Sequence, residues 1–157
     1  SYDQKIFTIA EKLYPPCQMA AYMGVNILLE PHGPITDTIQ GIQDIMDLLG
    51  NPVSLGVNMD TGNSWLGGTD PVEMAKYFKD KIFHVHWKDL GEEYVERRGK
   101  QFGCGFSTIA LGDGVIDIAG VVDVLKDRKE IHASTLEIGG PPEMLQQSVA
   151  YLKSCGL

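Results

Sequence analysis

Four short apolar runs, each carrying charge at its end and each followed by a helix-like stretch, constrain this chain more than anything else in it. They are Val25-Asn-Ile-Leu-Leu-Glu30, Ser54-Leu-Gly-Val-Asn-Met-Asp60, Lys81-Ile-Phe-His-Val-His-Trp-Lys-Asp89 and Ala133-Ser-Thr-Leu-Glu137. Runs this short and nearly continuous read as strands covered on both faces, the pattern of a parallel sheet. Parallel neighbours need a right-handed crossover, and a helical segment fills each gap. Helix, then strand and helix four times over, predicts an α/β chain with helices packed outside a parallel sheet. Four such units are half of an eight-stranded (β/α)8 TIM barrel, an object with two open edges and a half-covered interior.

Between the strands the punctuation is mostly local. Apolar spacing predicts helix over residues 2–23, broken into two pieces at Pro15-Pro16 and stopped at Gly24. Thr36 or Asp37 is placed to cap a helix running through Leu49, and Thr61 to Gly68 reads as a flexible loop. Asp70-Pro71 supplies a cap and a first-turn proline for a helix to about Lys79. Gly91 to Gly112 has no pattern and is too long for an ordinary connection. Asp117 caps a helix to about Asp127, and Pro141-Pro142 opens a last amphipathic one.

Composition narrows the setting. At 157 residues and 43% hydrophobic content the chain holds about one domain, here a partial barrel over residues 1–157. A net charge of -8 argues against nucleic acid, since the one dense basic cluster is Arg97-Arg98 with Lys100. No apolar run spans a bilayer and no signal peptide opens the chain, so a membrane is not expected. Cys17, Cys104 and Cys155 form neither a disulfide framework nor a zinc motif, which suits a reducing, cytoplasmic compartment. Because Ser1 lies inside a helical pattern, the first four βα units are expected outside this chain, on a missing N-terminal half-barrel or partner chain. Self-association into a homo-oligomer is the other solution for the open edges.

The third run concentrates the chemistry. Strict alternation puts His84, His86 and Lys88 on one face and Phe83, Val85 and Trp87 on the other. A face with two imidazoles and an ammonium needs carboxylates or a metal opposite it. Glu30, Asp60 and Glu137 end the other strands, at the rim where parallel barrels place reactive groups. Any one of these acids alone is an ordinary helix cap. Together with an imidazole they form an oxygen-rich donor set suited to Mn²⁺, Mg²⁺ or Co²⁺ rather than to a thiolate-selected metal.

Taken in order, Glu30-Pro-His, Asp60-Thr-Gly-Asn63, His84-Val-His86-Trp-Lys-Asp89, Leu111-Gly-Asp-Gly-Val-Ile-Asp117 and Leu136-Glu137 resemble the C-terminal half of the xylose isomerase-like TIM barrel family. That family includes sugar phosphate isomerases and epimerases, ketose 3-epimerases, inosose dehydratase and endonuclease IV. The resemblance implies one divalent cation, Mn²⁺ first, on Glu30, Asp60, His86 and Glu137, with His84 in a supporting place. It implies that Glu30 and Glu137 move protons and that His32, Asn63 and Lys88 reach substrate; Lys88 has pairing with a neighbouring acid as its alternative. Trp65, Trp87 and the Gly91 to Gly112 loop are candidates to close the pocket, with ordinary packing between strand and helix an equal alternative for each tryptophan, and Asp89 and Asp117 are assigned to turn and cap.

Two departures matter. Asn63 stands where many relatives of that family carry histidine, and Asp89-Leu-Gly-Glu92 stands where the ketose 3-epimerases carry arginine. Endonuclease-like zinc clusters are absent from the motif set. The expected function is a metal-dependent isomerase or epimerase of a sugar or polyol, working by proton transfer through an enediolate. The alternatives are a lyase or dehydratase acting on a keto-polyol or sugar conjugate, and a non-catalytic half-barrel subunit.

Overall fold

A computed structural model describes residues 1–157. Ten regular elements follow one another: α1 (Tyr2–Met23), β1 (Ile27–Leu29), α2 (Ile39–Leu48), β2 (Leu55–Asp60), α3 (Thr61–Leu66), α4 (Pro71–Tyr77), β3 (Ile82–Trp87), α5 (Ile118–Leu125), β4 (Thr135–Leu136) and α6 (Pro142–Cys155). Short 3₁₀ turns cover Lys79–Lys81 and Glu92–Arg97.

The four strands pair in the order β1-β2-β3-β4, every neighbour parallel. A sheet whose order matches the chain, joined by crossovers of one hand, carries its helices on a single face. Leu55, Val57 and Met59 of β2 point to that face and pack with Ile42, Ile45 and Met46 of α2, Met74 of α4 and Ile118, Val121 and Val122 of α5. The other face, the inside of a barrel arc, carries the polar residues.

Several elements differ from the sequence expectation for identifiable reasons. Helix α1 runs unbroken through Pro15 and Pro16. The prolines deprive the carbonyls of Glu11 and Lys12 of their amide partners, but all four residues are exposed, so water can serve those oxygens. The buried stripe of Ile6, Ala10, Cys17 and Ala20 continues across the prolines and anchors both halves. A capping box between Ser1 and Gln4 starts the helix, and Gly24 ends it at φ 67°, a left-handed conformation that costs glycine little.

The cap of α2 is Thr38, whose Oγ1 accepts the Gly41 amide at 3.0 Å. Asp37 is instead fully buried against the underside of the Thr61 to Gly68 segment. That segment is no flexible loop: Thr61–Leu66 is the helix α3, and every residue of it is buried. Asp60 starts it by accepting the Asn63 amide, so a turn signal that reads as a loop is a capped helix.

Strands β1 and β4 are shorter than the apolar runs suggest, because each lies at an edge with one neighbour. Val25 and Thr135 are exposed, so neither run is covered on both faces; β2, with two neighbours, is buried throughout. Alternation in β3 is also interrupted. Val57 pairs with Ile82 and Asn58 with His84, which leaves Phe83 as an extra residue. Phe83 then lies against Gly56, where a Cβ would collide with its ring, and not beside the buried Val85 and Trp87.

Candidate metal centre

The register places the polar groups. Asn58 pairs with His84 and Asp60 with His86 across β2 and β3, and Thr135 pairs with His86 across β3 and β4. Glu30 and Glu137 follow the last residues of β1 and β4. Parity therefore turns Glu30, Asn58, Asp60, His84, His86 and Glu137 to the inner face, with the acids gathered at the C-terminal rim.

His86 Nδ1 is the hub. It lies 3.5 Å from Glu30 Oε1, 3.4 Å from Glu137 Oε1 and 3.7 Å from Asp60 Oδ2. Donor atoms of Glu30, Asp60 and His86 all fall within 4.8 Å of one another. Three carboxylates around one imidazole repel each other unless a cation is shared among them, and hard oxygens with one nitrogen fit a divalent ion of the Mn²⁺ or Mg²⁺ kind. The residues present fit such an ion.

Each carboxylate is held. Asn58 Nδ2 donates to Glu30 Oε2 at 2.9 Å and sits 3.2 Å from both ring nitrogens of His86. Asp60 is fully buried; its Oδ1 accepts the Asn63 amide at 2.7 Å and its Oδ2 accepts Asn63 Nδ2 at 3.0 Å. Lys88 Nζ lies 2.9 Å from Asp60 Oδ2 and 2.6 Å from Glu137 Oε2. His84 Nε2 lies 2.9 Å from Thr135 Oγ1, with its ring edge-on to His86 at 5.3 Å between centroids.

The charges adjust accordingly. Asp60 foremost, against the cost of burial and with help from Glu30 and Glu137, draws the His86 pKa above its ordinary value. Burial, then the neighbouring His86, pushes His84 down. Burial works against the Lys88 charge, but Asp60 and Glu137 outweigh it and hold the ammonium charged. Burial raises the Cys104 thiol to about 11.

With this geometry in view, the model of the family described as "Xylose isomerase-like TIM barrel" matches residues 1–155. The chain belongs to that family. It is 29% identical over 124 residues to an inosose dehydratase of Geobacillus kaustophilus, covering 73% of this chain and 39% of that protein. It is 32% identical over 127 residues to an inosose dehydratase of Clostridium perfringens, covering 76% and 42%. The crystal structure of the probable 3-DHS dehydratase AsbF of Bacillus anthracis superposes with a TM-score of 0.72 at 22% identity, covering 92% of this chain and 54% of that one. The chain thus spans about two-fifths of the curated relatives' length, and in this family its sheet is a part of a barrel. These curated relatives carry dehydratase names, so they favour the dehydratase alternative over the isomerase or epimerase expectation.

Within this xylose isomerase-like arc the structure brings Glu30, Asp60 and His86 into one donor cluster, and Glu137 adjoins it through His86 and Lys88. Lys88 is buried and paired with acids, the alternative weighed for it, rather than open to a substrate. Asn63 has no exposed surface; besides Asp60 it meets the Gly91 to Gly112 loop, its Oδ1 accepting the Cys104 amide at 2.9 Å and lying 3.2 Å from Cys104 Sγ. His32 is exposed and lies beside Gly103 of the same loop. Trp87, the last residue of β3, is buried with Val85 on the helix-covered face, the opposite side of the sheet from the acids. Trp65 is also buried, under the guanidinium of Arg98 at 5.0 Å. Asp89 keeps its turn role, accepting the amides of Gly112, Gly114 and Ile116, and Asp117 caps α5 through Gly120.

Sequence reasoning missed Asn58, Thr61 and Cys104. Asn58 was within reach, since it lies two residues before Asp60 and shares its face. Thr61, which binds both the amide and the carbonyl of Lys88, and Cys104, in an unpatterned loop, carry no local signal. No helix is long and apolar enough to cross a membrane.

Proposed function

We propose that this chain carries the metal-binding half of a lyase that removes water from a keto-polyol. The observation that carries the reading is the convergence of Glu30, Asp60, His86 and Glu137 on one side of a parallel arc. Glu30, Asp60, His86 and Glu137 would hold one divalent cation, Mn²⁺ in the first instance. The chemistry such an ion supplies when bound is polarisation of a carbonyl and stabilisation of the charge left when an adjacent proton is removed.

The side chains account for the rest. Dehydration next to a carbonyl takes a proton from one carbon and a hydroxide from the next, releasing water and forming a carbon–carbon double bond. Glu30 and Glu137 are the partly exposed carboxylates at the rim, so they are the groups able to take that proton and return it to the departing hydroxyl. Asp60, fully buried and held by Asn63 and Lys88, orients the others. His32, exposed beside the Gly91 to Gly112 loop, is placed to meet a substrate hydroxyl.

The remaining strands of a barrel would come from a further half-barrel, and the open edges at β1 and β4 support that proposal. Two measurements test the function. Elemental analysis should find about one divalent ion per chain in the purified assembly and a clear loss in Glu137→Gln; equal, negligible metal in both would end the metal reading. Product analysis with a keto-inositol and a ketose separates the bond changed. An unsaturated product supports the lyase, whereas a rearranged sugar returns the family's isomerase or epimerase chemistry.

A further inference from the structure

We infer that Lys88 is a built-in counter-charge that sets both the affinity of the metal centre and the charge of the ion it prefers. The inference rests on the metal reading above but concerns a residue outside the four donors. Its side chain is 4% exposed, and Nζ meets Glu137 Oε2 at 2.6 Å and Asp60 Oδ2 at 2.9 Å. A third, longer contact reaches the Cys104 carbonyl at 3.5 Å.

The lysine is gripped along its whole length. Its amide donates to Thr61 Oγ1 at 2.9 Å, and that hydroxyl donates to the Lys88 carbonyl at 2.7 Å. The stem passes so close to Gly62 that a Cβ there would come within 2.7 Å of Lys88 Cβ and 3.1 Å of Cδ. A surface lysine that merely finds an acid needs none of this.

Charge arithmetic gives the arrangement its sense. Three carboxylates, Glu30, Asp60 and Glu137, carry three negative charges; a divalent ion offsets two and Lys88 offsets the third. A partly buried site that sums to zero avoids the cost of an unpaired charge. Glu137 expresses this division in its own two oxygens, Oε1 turned to His86 and Oε2 to Lys88. Lys88 also repels any cation that enters, so it holds affinity down while keeping the carboxylates in place without metal.

The test is metal binding itself, by titration calorimetry for Mn²⁺ and by sensitised luminescence for Tb³⁺, in wild type, Lys88→Met and the exposed control Lys126→Met. Removing the local charge should tighten Mn²⁺ by roughly tenfold or more and tighten Tb³⁺ by a larger factor, because the repulsion scales with ion charge. The control should move neither. Unchanged or weaker binding of both ions in a folded Lys88→Met chain overturns the inference, as does an equal gain for both. Wild type that binds no Mn²⁺ would instead end the metal reading, and the two failures are thereby distinct. If Lys88→Met does not fold, Lys88→Gln keeps the stem, removes the charge and must meet the same criteria.

Discussion

Asp60 and Asn63 are joined twice, once through the Asn63 amide to Oδ1 at 2.7 Å and once through its side-chain nitrogen to Oδ2 at 3.0 Å. The same contact ends β2, starts α3 and fixes the orientation of the one fully buried carboxylate at the candidate metal centre. Asn63 then passes the constraint to the Gly91 to Gly112 loop through the Cys104 amide. Replacing Asn63 by Ala keeps the backbone bond to Asp60, removes the side-chain bonds to Asp60 Oδ2 and to the Cys104 amide and thiol, and leaves the partly buried Cys104 amide unpaired. Stability should fall by about 1 to 3 kcal/mol, read by urea denaturation. Metal binding should weaken at the same time, whereas a purely structural role would lower stability alone.

Gly62 tests how tightly the Lys88 stem is packed. Gly62→Ala forces a methyl to within 2.7 Å of Lys88 Cβ and 3.1 Å of Cys104 Sγ. Overpacking of this kind should cost about 1 to 3 kcal/mol. Gly105→Ala, next to Cys104 in the Gly91 to Gly112 loop with nothing within 4 Å of the new Cβ, is the control and should cost far less. Equal thermal midpoints for the two variants would show that the stem has room to move.

Asp37 gives stability a pH dependence. Burial raises its pKa from 3.8 to about 6, against the Gly33 amide and the nearby His32, which favour the charge, and with Asp60, which opposes it. Oδ1 accepts the Gly33 amide at 2.9 Å, while Oδ2 is buried without a partner. The folded chain therefore holds a proton that the unfolded chain releases between about pH 4 and 6. This contribution to stability is present in full below the lower value and lost as pH rises through the upper one. Asp37→Asn keeps the Gly33 contact and removes the charge. Its stability relative to wild type should be greater at pH 8 than at pH 4 by on the order of 2 kcal/mol. Denaturation curves at the two pH values give the difference, and a pH-independent offset would refute it.

The proline pair in α1 is a removable weakness. Pro16→Ala restores an amide for the Lys12 carbonyl on an exposed helix surface. The restored bond outweighs the greater freedom of the unfolded chain, so the variant should gain about 1 to 2 kcal/mol and melt at higher temperature. A lower melting temperature would mean that the helix uses its proline geometry to pack.

What was legible beforehand was whatever obeys a short-range rule. Strand parity turns Glu30, Asp60, His86 and Glu137 the same way, and Asp70, Asp117 and Gly24 punctuate helices through contacts within a turn or so. The stretch from Thr61 to Leu66 failed that test because its cap, Asp60, also ends a strand, and Thr-Gly-Asn-Ser has the composition of a turn. Phe83 failed it because a bulge depends on what the neighbouring strand offers, here the space over Gly56.

The sequence by itself determined the alternation of strands and helices and the end of the sheet at which its acids gather, since both follow from side-chain period and from the need to cover parallel strands. Only the tertiary structure decided the partners: Lys88 with Glu137, Asn58 with Glu30, and Asn63 with Cys104. Those pairs are far apart along the chain, and no local propensity encodes them. They exist because the packed helices fix the strand register to within one residue, and register sets which charges must share the pocket.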